Sequence, residues 1–96
     1  MNALEALRAR EPEIQVIAAK HGAGNIRVFG SIARGDASTE SDVDLLIDVV
    51  GPTTPWFPGG LLVDLENLLD RRVDLVVARS LHPLIRESVL KDCVPL

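Results

Sequence analysis

The chain has 96 residues, 47% apolar and 25% charged, which suits one globular domain with a modest core and shows no bias toward disorder. Its net charge of −4 argues against gripping long nucleic acid by the phosphates, which needs clustered Lys and Arg, but leaves open a small anion held through metal ions. A lone Cys93 excludes an internal disulfide, no Cys/His cluster has zinc spacing, the N-terminus lacks a signal-peptide run, and no apolar stretch approaches ~18 residues, so a cytoplasmic protein without a membrane span is expected.

Aromatic residues are limited to Phe29, Trp56 and Phe57, leaving the core to Leu, Val, Ile and Ala. In chain order, Leu4 and Leu7 have helical spacing within 2–9. Pro12 suits the first turn of a second helix over 12–22, with Ile14, Ile17 and Ala18 on one face and Gly22 or Gly24 able to end it. Residues 26–31 alternate as a short strand, and 32–41 form a polar connection that can open with a helical turn. The apolar run 43–50 predicts a strand buried on both faces, central in its sheet and flanked by helices. Three prolines and three glycines make 51–60 a loop. Residues 61–70 form an amphipathic helix, 72–77 a third strand, and 82–94 a last helix with Pro83 in its first turn. The fold class is α/β (α+β), one domain over 1–96, with helices packed on a small mixed β-sheet.

The central strand carries acids where an apolar strand should not. Asp42 and Asp44 stand two residues apart, so they face the same way ~6.5 Å apart. Ionised carboxylates that close repel one another unless a cation lies between them. Two hard cations bound through oxygen would satisfy the pair. Asp74 heads the third strand in the same Val-Asp-Leu setting and would converge with them if the strands are neighbours in register. Asp48 lies on the same face but deeper or at the far end, outside that set. Upstream, Gly30 and Ser31 follow a strand: glycine permits close approach of backbone to a ligand, successive N–H groups can cradle phosphate, and Ser31 adds a hydroxyl. Taken alone, each feature has a plain structural reading, as a solvated strand end or as a turn with Ser31 as a cap.

Together these features make one spaced pattern, GSIARGDASTESDVDLLI over 30–47 and RRVDLVV over 71–77. On those residues the chain resembles the minimal nucleotidyltransferases of the DNA polymerase beta-like superfamily, with its palm fold. The resemblance implies transfer of a nucleoside monophosphate from an NTP to a hydroxyl. It implies that Gly30 and Ser31 hold the triphosphate and that Asp42 and Asp44 ligate two magnesium ions. Asp74 would ligate the catalytic ion and help activate the acceptor. Arg34 either meets phosphate charge or pairs with Asp36, Glu40 or a helix C-terminus.

The short chain resembles the antitoxin half of HEPN/MNT toxin–antitoxin pairs, which implies transfer of AMP from ATP to a tyrosine of a HEPN toxin and assembly with that partner. The chain has no Tyr, so a tyrosine acceptor must come from another chain. Two alternatives are an antitoxin that neutralises only by masking its toxin and a small-molecule nucleotidyltransferase of the aminoglycoside type. Trp56 and Phe57 either anchor a partner or cover the core, and the terminal Val-Pro-Leu either packs on its own domain or meets a partner. His21 is expected at a helix end in a favourable dipole contact, His82 as a helix-entry residue, and Cys93 as a buried filler.

Overall fold

The computed structural model describes residues 2–38 and 40–96. In chain order it has α1 (Ala3–Ala9), α2 (Glu11–Lys20), β1 (Ala23–Phe29), α3 (Gly30–Arg34), β2 (Val43–Val49), α4 (Gly59–Leu69), β3 (Val73–Val77), a 3-10 turn (Ala78–Ser80), α5 (Pro83–Asp92) and β4 (Val94–Pro95). Local signals account for most boundaries. The Asn2 side chain accepts from Glu5 N at 2.8 Å to start α1, Pro12 sits in the first turn of α2, and Gly35 ends α3 in the left-handed region at φ 83°. His82 caps α5, its Nδ1 accepting from Leu84 N at 3.1 Å, as expected of an entry residue.

The sheet is mixed, in the order β3-β2-β1-β4. β1 pairs antiparallel with β2 and with β4, whereas β2 and β3 run parallel. A parallel pair needs a crossover, which here contains α4. Val43, Leu45 and Ile47 point from β2 to the helical face and pack with Ile14, Ile32, Leu61 and Leu65, all almost fully buried. Among the described residues, no helix is long and apolar enough to cross a membrane.

Several expectations need correction. β1 starts at Ala23 rather than Ile26 and ends at Phe29, so Gly30 and Ser31 open a helix instead of closing a strand. Its early start rests on pairing, Ala23 with Val49 and Gly24 with Asp48, ahead of an irregularity that a period-2 pattern cannot show. β2 is internal, but it is not apolar on both faces. Leu46 is fully buried outside the main cluster, while Asp44 and Asp48 on its side stay half-exposed. α4 begins at Gly59, inside the predicted loop. The tail contributes β4, too short to read from pattern, and Leu96 N donates to Ile26 O at 3.1 Å, so Val94 and Leu96 pack on the domain itself. The apolar residues of α5 do not face the core: Leu84, Ile85 and Leu90 are exposed and no residue of the helix is fully buried. Cys93 is only half-buried, its Sγ 3.2 Å from Leu90 O. Trp56 is 91% exposed, which excludes it from covering the core, whereas Phe57 packs against the cluster.

Candidate active site

The acids meet because of strand register. β2 and β3 run parallel with Asp44 opposite Asp74, so the two Val-Asp-Leu segments lie side by side, ~4.8 Å apart between strands. Parallel neighbours in register present their side chains on one face. Asp42 precedes β2 by one residue and lies on the same side of the chain as Asp44. Asp42 and Asp74 are exposed and Asp44 is half-buried. The Asp44 carboxyl is pushed above the usual carboxylate range, first by burial, then by the negative charges of Asp74 and Asp42, with Arg34 opposing the rise.

Phe29 is the β1 partner of Asp44, and the chain turns into α3 at the next residue. Gly30 sits there with φ 71°, and a Cβ would lie 3.0 Å from Asp44 Cγ and closer still to its carboxylate oxygen. Glycine is therefore required twice, by its dihedral and by the approach of Asp44. Ser31 is the second residue of α3 and is not its cap, since Phe29 holds that position. The first N–H groups of a helix have no intrahelical acceptor, and α3 sets those of Gly30 and Ser31 at the strand end that carries the acids. Arg34 Nε lies 3.4 Å from Asp36 Oδ2, a weak exposed pair, while its charge still reaches Asp44. Of the two expectations for Arg34, the structure shows the pairing with Asp36.

All three acids offer oxygen donors, the ligand type that suits a hard divalent cation. Burial and mutual repulsion leave Asp44 short of positive charge, which a cation would supply. Among the described residues, no group of three or more His, Cys, Asp or Glu side chains is gathered closely enough to hold a metal ion as placed.

Asp48 belongs elsewhere. It pairs with Arg27, Nη2 to Oδ1 at 3.0 Å and Nη1 to Oδ2 at 3.1 Å, and accepts from Asn25 Nδ2 at 2.7 Å. His21 does more than meet a helix dipole. It is buried, with Nδ1 2.6 Å from Thr54 Oγ1 and Nε2 2.7 Å from Asp64 Oδ2, tying the Pro-rich loop to α2 and α4 at the opposite end of β2 from the acids. Sequence reasoning also missed Arg71, which donates from Nη2 to the carbonyls of Ser38 and Ser41 just before Asp42. Its only signal was its place in the matched stretch RRVDLVV.

Comparison with known proteins identifies the family and the fold. The nucleotidyltransferase domain family matches residues 4–96. A solved chain described as a candidate minimal nucleotidyltransferase superposes with a TM-score of 0.83 at 46% identity, covering 100% of this chain and 97% of that one. Protein adenylyltransferase MntA of Thermococcus cleftensis is 41% identical over 75 residues, 78% of this chain and 76% of MntA. A toxin–antitoxin complex of MntA with HpeT contains a chain that superposes with a TM-score of 0.71 at 25% identity, covering 90% of this chain and 70% of that one. The sequence match over almost the whole length and the shared mixed sheet place the chain in the nucleotidyltransferase domain family, with the minimal nucleotidyltransferase fold.

Proposed function

We propose that this nucleotidyltransferase moves AMP from ATP to a hydroxyl of a partner protein and acts as the antitoxin of a HEPN-type toxin in the cytoplasm. The observation that carries the reading is the in-register pair Asp44 and Asp74, with Asp42 alongside and Gly30 held against Asp44. Asp42 and Asp44 would hold two magnesium ions, with Asp74 completing the set. Cations held by these carboxylates would lower the pKa of the attacking hydroxyl and offset the charge of the departing pyrophosphate. The Gly30 and Ser31 donors receive triphosphate oxygens, and Arg34 adds positive charge on the same side. Asp74 would take the hydroxyl proton as the acceptor oxygen bonds to the α-phosphorus and the bond to pyrophosphate breaks.

The identity of the reaction rests on the protein adenylyltransferase MntA relative, and the role of the partner on the MntA–HpeT complex. A tyrosine acceptor fits a chain that has none of its own. The test is to incubate the chain with ATP labelled at the α-phosphate, Mg2+ and the toxin encoded beside it. Label is expected on a toxin tyrosine and absent with Asp42→Ala/Asp44→Ala. No label, together with full neutralisation by that double variant, would establish masking instead. Labelling of an aminoglycoside without any protein partner would establish the small-molecule reading.

A further inference from the structure

Between Gly35 and β2 the chain crosses a polar, largely exposed segment that ends at Asp42. Ser38 to Ser41 closes as a turn: Ser41 N donates to Ser38 O at 3.2 Å and Ser38 N donates to Ser41 Oγ at 2.8 Å. Both bonds lie within the segment. The tie to the rest of the fold comes from Arg71, whose Nη2 donates to Ser41 O and, at 3.4 Å, to Ser38 O. The Ser41 carbonyl belongs to the peptide that supplies the N–H of Asp42, so holding it sets the direction in which Asp42 leaves the turn. Arg71 is half-buried and precedes β3 by two residues. On the adjoining residues, Val43 N donates to Arg72 O at 2.9 Å and Val73 N to Glu66 Oε2 at 3.0 Å, which fix the start of both strands.

We propose that Arg71 is a positioning residue: it clamps the Ser38–Ser41 turn to the start of β3, so that Asp42 is presented at a set distance from Asp74 and the two acids bind cations together. The inference rests on the acids being cation ligands. Arg71 works through backbone carbonyls and touches no carboxylate of the set, and the guanidinium whose charge reaches Asp44 is that of Arg34. Loss of a group that orients a metal ligand weakens metal affinity by about 10–100-fold in other sites, and the same range is expected here.

The test compares Arg71→Met with Arg72→Met in the full chain. Arg72 removes the same charge from the neighbouring residue, whose side chain is exposed and whose carbonyl alone is used. Hydrogen exchange of the 38–42 amides without metal, and calorimetric titration with Mn2+, are the readouts. R71M should speed exchange of the turn, leave the β2 amides protected and weaken Mn2+ binding at least about 10-fold; R72M should match the parent chain in both. R71K, which keeps a donor on a more flexible stem, should fall between, and it carries the test should R71M not fold. Unchanged turn exchange in R71M, or parental values in both readouts for R71K where R71M is unfolded, overturns the clamp. Faster exchange with unchanged Mn2+ affinity overturns the positioning role. Equal losses in R72M would show a charge effect in place of a clamp. A parent chain that binds no Mn2+ overturns the reading of the acids themselves.

Discussion

Gly30 and Gly35 offer a matched pair of perturbations. Both occupy the left-handed region, at φ 71° and 83°, so replacing either by Ala imposes a comparable backbone cost of about 1–2 kcal/mol. For a domain of this size that corresponds to a fall in Tm of roughly 5–15 °C. The two sites differ in what a new methyl group would meet. At Gly35 no atom lies within 4 Å of a Cβ, whereas at Gly30 the Cβ would sit 3.0 Å from Asp44 Cγ and overlap its carboxylate. Asp44 must then move, and displacement of a reacting group by about 1 Å can cost roughly 100-fold in rate. Gly35→Ala should therefore keep transfer of label from ATP within a few-fold of the parent. Gly30→Ala should lose about 100-fold or more while losing at least as much stability. In an Asp44→Ala background the extra destabilisation of Gly30→Ala should disappear, because the overlapping carboxylate is gone. Equal transfer in the two single variants, or an extra penalty that persists without Asp44, would refute the assignment of Gly30 to the approach of Asp44.

Asp44→Asn should raise the thermal stability of the metal-free chain at neutral pH while abolishing transfer. The folded pKa of Asp44 lies above its unfolded value, so the native state binds the proton more tightly and loses stability as pH rises through that window; the variant should lack this slope in melts taken from acid to neutral pH. Asp48 behaves in the opposite sense. Hydrogen bonds from Arg27, then Asn25, hold its carboxyl below the usual range, so the stability it contributes is present above the ordinary carboxylate pKa of about 4 and lost as pH falls through the depressed value. Asp48→Ala leaves the Arg27 side chain, 13% exposed, without its acid and should cost about 1–2 kcal/mol at neutral pH, toward the low end because Asp48 itself is 38% exposed, with metal affinity unchanged. Saturating Mg2+ with ATP should raise the melting temperature, by an amount equivalent to about 2.7 kcal/mol at 100 times the dissociation constant; an unchanged melt would count against the site.

Much of this molecule is legible in its sequence because its signals are local. Pro12 and Pro83 mark helix starts and the leucines of 61–69 mark a helix face, since each signal is local to its stretch of chain. The nearness of Asp44 to Asp74 was legible only in part, because two Val-Asp-Leu segments suggest neighbouring strands and only the register brings them side by side. Short elements and partners distant in sequence were not. β4 exists only because β1 is there to pair with it, and the exposure of Trp56, Leu84 and Ile85 depends on which faces the sheet already covers.

What the sequence determined by itself is the set of groups on offer: three carboxylates, and a Gly-Ser pair after a strand whose backbone and hydroxyl can donate to a ligand. The tertiary structure decided the rest. It placed Asp74 opposite Asp44, sent Asp48 to Arg27, and brought Arg71 to carbonyls 30 and 33 residues earlier in the chain. Parallel register depends on a crossover through α4, and a side chain's hydrogen bond to remote backbone leaves no periodic trace. A local pattern can state which residues carry charge on an apolar element, but only the closed fold determines which neighbour each one meets.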